Sequence, residues 1–270
     1  MTLPLIIEAD ELKQNLDNPD LLIIDLSSEE NYLKGHIPGA INLPSSRLLR
    51  GEAPVPNKLP TLEQLQQLCA DIGLTENSPI VAYDDQMGPW AGRLMWTLNI
   101  LGHHNCSVLN GQLAAWTNAG FELEQQSNTR STDAKPVTIN NDLIADASYI
   151  QKHLGQDGFT IWDARSAEEH SGEKVINAQK GGHIPGAKHL EWTDCLIGGD
   201  DLRLKPKDEL LALLSDAGIN KNNTVVTHCQ THRRSGLTYL VARHLGFDDI
   251  RCYDGSWFEW GNLPDTPVEK

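Results

Sequence analysis

Long apolar runs are missing from this chain. No stretch approaches the roughly 18 uninterrupted apolar residues that a membrane-spanning helix requires, so none is expected. Basic residues are missing from the start, where Leu3-Pro4-Leu5-Ile6-Ile7 is also too short for the apolar core of a secretory signal. The five cysteines (Cys69, Cys106, Cys195, Cys229 and Cys252) are odd in number and include no Cys-x-x-Cys pair. That argues against a disulfide framework and for a reducing, cytoplasmic location. Positive charge is scarce as well: 22 Lys and Arg against 37 Asp and Glu leave a net charge of −15. Such a surface repels nucleic-acid phosphates and anionic lipid, so neither is expected as a partner. A small anionic substrate needs a local positive pocket to bind against that field.

What is present is a soluble globular composition, 39% hydrophobic and 22% charged, over 270 residues, a length that suits two domains. The chain repeats itself. Asp25-Leu26-Ser27-Ser28-Glu29-Glu30 followed by Gly35-His36-Ile37-Pro38-Gly39-Ala40 returns as Asp163-Ala164-Arg165-Ser166-Ala167-Glu168-Glu169 followed by Gly182-His183-Ile184-Pro185-Gly186-Ala187. Leu101-Gly102, Asn110-Gly111 and Trp116 return as Leu245-Gly246, Asp254-Gly255 and Trp260, each displaced by 144 positions. Several ordered matches at a nearly fixed offset mean a duplication into two tandem domains rather than a solenoid. The polar stretch Gln125 to Asp133 cannot bury a face, so the domains are expected at 1–124 and 142–270 with a linker at 125–141.

Within each half, short apolar runs alternate with helical patterns. Leu21 to Asp25, Ile80 to Asp84, Phe159 to Asp163 and Thr224 to His228 read as buried strands. Thr61 to Leu68 and Lys207 to Leu214 read as helices, the first with a capping threonine. Alternation of this kind predicts an α/β fold, twice over, each domain a mostly parallel sheet flanked by helices.

In such a sheet, ligands bind beyond the C-terminal ends of strands. The loop with suitable chemistry is Cys229-Gln230-Thr231-His232-Arg233-Arg234, between the strand ending at His228 and a helix with Leu237, Leu240, Val241 and Leu245 on one side. Inward-turned amides, the helix N-terminus and the charges of His232, Arg233 and Arg234 are expected to hold the Cys229 thiol well below its free value of about 8.5. Such a thiolate is nucleophilic at neutral pH, and the same amides would hold a persulfide. In the first half the equivalent position is Asp84, and the loop behind it carries no basic residue, so that domain is expected to be catalytically silent.

Rival chemistries fit less well. A cysteine-based phosphatase or arsenate reductase needs an arginine with five residues between it and the cysteine, to clamp a tetrahedral oxyanion. Here that residue is Ser235, and Arg234 falls one position early. A metal site from His228, Cys229 and His232 fails on direction, because strand neighbours point oppositely; no metal is expected. His36 and His183 recur in both halves, only one of which has a cysteine at the loop position, so both read as structural. His103-His104 reads as a solvated turn.

The two Gly-His-Ile-Pro-Gly-Ala motifs, Val108-Leu109-Asn110-Gly111, the Cys229 loop and Tyr253-Asp254-Gly255-Ser256-Trp257-Phe258-Glu259-Trp260 resemble the tandem-domain rhodanese family, the thiosulfate and 3-mercaptopyruvate sulfurtransferases. The resemblance spans nearly the whole chain and implies two rhodanese-like domains, the second catalytic. It implies sulfane sulfur carried as a persulfide on Cys229, with no other cofactor, from a small anionic donor to cyanide, a thiol or a thiol-bearing protein. It places Arg165 as a substrate contact beside Gln230, Thr231, His232, Arg233 and Arg234. The loop departs from the Cys-Arg-Lys-Gly-Val-Thr pattern of typical thiosulfate enzymes and from the Cys-Gly-Ser/Thr-Gly-Val-Thr pattern of mercaptopyruvate enzymes. It resembles the CQTHxR variant of some bacterial rhodaneses, and its two arginines favour the thiosulfate dianion over a monoanionic keto acid. The alternatives are a 3-mercaptopyruvate sulfurtransferase and a non-catalytic sulfur-binding module.

Overall fold

The apolar runs of the sequence become neighbouring parallel strands in the computed structural model, which describes residues 2–270. The first half runs β1 (Ile6–Ile7), α1 (Ala9–Asn15), β2 (Leu22–Asp25), α2 (Glu29–Lys34), β3 (Ile41–Asn42), α3 (Leu62–Asp71), β4 (Ile80–Tyr83), α4 (Pro89–Ile100), β5 (Cys106–Leu109) and α5 (Gln112–Asn118). The second runs β6 (Ile144–Ala145), α6 (Ala147–His153), β7 (Phe159–Asp163), α7 (Ala167–Ser171), β8 (Lys188–His189), β9 (Leu196–Gly198), β10 (Asp201–Leu204), α8 (Lys207–Asp216), β11 (Thr224–His228), α9 (Arg234–His244), β12 (Ile250–Tyr253) and α10 (Ser256–Trp260).

Each half builds a five-stranded sheet, in the order β1-β5-β4-β2-β3 and β6-β12-β11-β7-β8, with strand pairs parallel throughout. The α/β fold expected from the alternation is therefore present twice, with the same strand order. Parallel strands covered on both faces read as continuous apolar runs, and β2 and β4 are buried at all four positions. Helix starts follow the capping residues: Thr61 with Gln64 forms a capping box on α3, Asp146 caps α6, and Ser166 with Glu169 forms a box on α7. Ile23, Val81, Leu109 and Trp116 are buried in the first core. Ile161, Val226, Tyr253 and Trp260 are buried in the second.

The division of the chain differs from a cut at residues 125–141. One unit comprises Met1–Arg50, Leu59–Asn140 and Ile197–Leu204; the other comprises Gly51–Lys58, Asn141–Leu196 and Lys205–Lys270. Two short arms are thus exchanged. In the first unit, Asn110 Oδ1 accepts from the Leu204 amide at 2.9 Å. In the second, Asn57 Nδ2 donates to the Asp254 carbonyl at 2.6 Å and Lys58 pairs with Glu259 at 2.7 Å. The stretch read as a linker is clustered with the first unit up to Asn140, because its polar groups bond to that unit's surface: Asn128 N donates to Tyr32 Oη and Thr132 N to the Ala70 carbonyl, both at 2.9 Å.

Candidate active site

β11 lies at the centre of its sheet, between β12 and β7, so its C-terminal end is fixed on both sides. Cys229 follows at once, and the chain turns back into α9 within five residues. The reversal is made by His232, whose backbone adopts a left-handed conformation (φ 55°) uncommon for a residue with a Cβ. Its Nδ1 lies 2.7 Å from Ser235 Oγ, which ties the turn to the first residues of α9.

A second element grips the loop. Ser256, also left-handed at φ 53°, opens α10. Its Oγ accepts from the Cys229 amide at 3.4 Å and donates to the Tyr253 carbonyl at 2.9 Å. The amides of Trp257 and Phe258 donate to the carbonyls of Cys229 (3.0 Å) and Gln230 (2.9 Å). The Tyr253–Trp260 run thus holds the Cys229 and Gln230 backbone of the loop.

Cys229 is 1% exposed. Burial pushes its thiol up, yet the Arg234 charge, the Ser235 amide and hydroxyl and the Thr231 amide together outweigh burial and bring it below its ordinary value. The other cysteines supply the contrast: burial alone drives Cys69 up to about 11 and Cys106 up to about 12, and burial, with Asp194 adding to it, drives Cys195 up to about 12. Cys106 and Cys195 are about as buried as Cys229 and are shifted in the opposite direction. Thiolate character here comes from donors aimed at the sulfur, not from residue type or depth.

Arg234 is fixed in turn. Its Nη1 and Nη2 donate to Glu169 Oε2 (2.6 Å) and Oε1 (2.8 Å), a bidentate pair reached across 65 residues of sequence. Burial raises Glu169 and lowers Arg234, but the pairing overrides burial in both, so Glu169 is held below and Arg234 above its ordinary value. Glu169, Ser235, Ser256 and Trp257 were not among the site residues read from sequence. A signal existed for three of them: Ser166-x-x-Glu169 is a capping box, and Ser256 and Trp257 lie in the Tyr253–Trp260 motif.

The remaining expected residues fall into place unequally. Thr231 contributes its amide to the sulfur. Gln230 turns its side chain away, Nε2 donating to the Ile176 carbonyl. Arg233 is exposed at the entrance to α9. Arg165, expected as a substrate contact, is engaged by its own unit in this structure. It is 1% exposed, its Nε and Nη2 donate to Asp163 at 2.6–3.1 Å, and Nη2 also donates to the Gly182 carbonyl at 2.8 Å. Its guanidinium carbon sits 4.3 Å from the centre of the Trp257 ring, so its charge is committed to a buried ion pair. Burial would raise Asp163, but His228, Arg165 and His170 hold it well below the usual carboxylate range. Burial lowers His228 to about 4, so it is neutral at pH 7, and its Nδ1 donates to the Cys229 carbonyl at 3.2 Å.

His36 and His183 both donate through Nδ1 to backbone carbonyls, of Tyr32 (2.7 Å) and His170 (2.9 Å) respectively, tying the loop after α2 or α7 to that helix. His103 is not the solvated turn residue expected: it is 8% exposed, held by backbone groups of Glu76, Ser78 and Asn105, while His104 stays outside. Among the described residues no group of three His, Cys, Asp or Glu is arranged to hold a metal. No helix among them is long and apolar enough to cross a membrane.

The first unit carries the same cradle, already filled. Asp84 is fully buried and accepts four backbone amides: Gln86 and Gly88 at Oδ1 (both 2.8 Å), Trp90 and Ala91 at Oδ2 (2.8 and 3.2 Å). Burial still raises its carboxyl against those donors. Met87 (φ 72°) and Gln112 (φ 58°) take the left-handed places of His232 and Ser256, and Gln112 Oε1 accepts from the Asp84 amide as Ser256 Oγ does from that of Cys229. The turn after the central strand is therefore an anion nest in both units. In one it is occupied by a tethered carboxylate; in the other its amides converge on a thiol.

Comparison with known proteins agrees with this architecture. The Rhodanese-like domain family matches residues 8–119 and 146–263. A thiosulfate sulfurtransferase of Pseudomonas aeruginosa is 42% identical over 268 residues, covering 99% of this chain and 97% of its own. One of Azotobacter vinelandii is 41% identical over 268 residues, covering 99% and 98%. The crystal structure of the 3-mercaptopyruvate sulfotransferase SseA from Escherichia coli superposes with a TM-score of 0.82 at 25% identity, over 94% of this chain and 99% of that one. With one strand order built twice and an anion nest after each central strand, the chain belongs to the rhodanese-like family and holds two of its domains in tandem.

Proposed function

We propose that this chain is a thiosulfate sulfurtransferase that carries sulfane sulfur as a persulfide on Cys229. The observation that carries the reading is a fully buried thiol held below its ordinary value by Arg234 and the amides of Thr231 and Ser235. The Cys229 thiolate attacks the outer sulfur of thiosulfate. The sulfur–sulfur bond of the donor breaks, its electron pair leaves with sulfite, and the transferred sulfur remains as Cys–S–S⁻. An acceptor nucleophile, cyanide or a thiol, then attacks the terminal sulfur and regenerates the thiolate, a ping-pong cycle needing no cofactor beyond the bound sulfur. The nest supports both states, because an added sulfur moves the negative charge outward by one atom within reach of the same donors.

Support for thiosulfate over mercaptopyruvate comes from the positive loop, with Arg234 at the thiol and Arg233 at the rim, and from the two thiosulfate sulfurtransferases at 41–42% identity. The likeness to SseA keeps 3-mercaptopyruvate as the second reading. A cytoplasmic location is supported by all five cysteines being free. Intact mass spectrometry after incubation with each donor separates the readings. Gain of one sulfur on Cys229 from thiosulfate is expected; gain from mercaptopyruvate alone would establish the second reading, and gain from neither would end both.

A further inference from the structure

The two units differ where the first is covered by its own chain. After α5, residues 128–137 run along the first unit with no helix or strand of their own. Asn128 makes a parallel bridge with Ile41 on the edge strand β3. Arg130 packs so closely that a Cβ on Gly73 would lie 2.9 Å from the Arg130 Cβ. Thr132 N donates to the Ala70 carbonyl, and Lys135 then shares a hollow with Cys69, Glu76 and His103.

At a fixed offset of 145, Cys69, Ala70, Gly73 and Glu76 correspond to Leu214, Ser215, Gly218 and Lys221. His103 corresponds to Phe247, and Ile41, within the repeated motif, to Lys188. Of these, Leu214, Ser215, Gly218, Lys221 and Phe247 line a groove of about 410 Å³ over the C-terminal end of α8, with Leu211 (41% exposed) on its wall. Where the strap buries Ala70, Gly73 and Ile41, the counterparts Ser215, Gly218 and Lys188 are exposed. A Cβ on Gly218 would meet only the flexible Lys188 side chain, at 3.4 Å or more.

We propose that this groove and the adjoining edge of β8 bind an extended, acidic segment of a partner polypeptide, along the path that residues 128–137 follow on the first unit. The mode is strand addition at an exposed edge, with a backbone N–H donating to the Ser215 carbonyl as Thr132 does to Ala70. The charge preference comes from one inversion. In the first unit Glu76 shares its hollow with Lys135, whereas in the second Lys221 stands in the place of Glu76, and the Lys188 side chain lies against Gly218. A carboxylate is therefore the complement at the position of Lys135. The proposal is independent of the chemistry at Cys229.

The test uses the whole protein and two synthetic peptides spanning residues 126–140 of this chain, one native and one carrying Lys135→Glu. The Glu peptide is expected to bind at least threefold more tightly, shifting amide resonances of Leu211 to Asn223 and of Phe247. In the Lys221→Glu protein, altered at an exposed position, the order of the two peptides is expected to reverse. Absence of shifts at millimolar peptide, shifts confined to Cys69–Glu76 through displacement of the resident strap, or a preference unmoved by Lys221→Glu would each overturn it.

Discussion

At the scale of single residues, the decisive contrast lies between cysteines of equal depth. Cys195 is driven up to about 12 by burial, whereas Cys229 is drawn down by donors that converge on it. Arg234 is the charged member of that set, so Arg234→Ala should move the acid limb of the kcat/KM profile to higher pH. It should also cost at least about tenfold in kcat/KM at neutral pH, about 1.4 kcal/mol. The direction follows from the thiol being the acid: activity falls as pH drops through its pKa, and loss of a cation raises that pKa. Cys229→Ser should leave the fold intact and abolish both sulfur uptake and transfer, read by mass and by thiocyanate formation. Glu169 tests the fold rather than the chemistry. A carboxylate held below its unfolded value stabilises the native state above pH 4 to 5, and that contribution is lost as pH falls through the lower folded value. Glu169→Gln should therefore lower stability at pH 7 by about 1–3 kcal/mol in urea titrations, and the gap to the parent protein should narrow toward pH 3.

At the scale of elements, the site is a strand end, a turn and two helix starts. The central strands were legible because Thr224 to His228 and Ile80 to Tyr83 are unbroken runs suited to a parallel sheet, and the loop was legible because Cys229 and Arg234 stand within it. Two-residue strands such as β3 and β8 were not, since so short a segment has no period to read. The ion pair of Arg165 was not legible for a similar reason: its partner Asp163 lies two residues away along the chain, and no pattern announces that their side chains close on each other. The α10 clamp makes an element-scale prediction. Ser256→Ala removes the acceptor for the Cys229 amide and the donor to Tyr253, so single-turnover sulfur uptake should slow severalfold while the melting temperature shifts by only a few degrees.

At the scale of the molecule, the duplication explains why half of the architecture could be checked against the other half, and the exchanged arms are where that symmetry was unreadable. Gly51-Glu-Ala-Pro-Val-Pro-Asn-Lys58 carries no helical or strand periodicity, so nothing in it says which unit it joins. Asn57 is 5% exposed, and its side chain donates to the carbonyls of Asp254 and Gly255 just before α10. Asn57→Ala should cost about 1–3 kcal/mol, measured as the loss of second-unit stability in hydrogen exchange, because it strips donors from buried carbonyls.

The crossed arms also bear on synthesis. As the nascent polypeptide leaves the ribosome, the first unit has its sheet long before it has residues 197–204, which are translated only after most of the second unit's early strands. Domains usually mature in order from the N-terminus. Here the earlier one receives its last segment, Ile197–Leu204, only after β6, β7 and β8 of the later one have been translated.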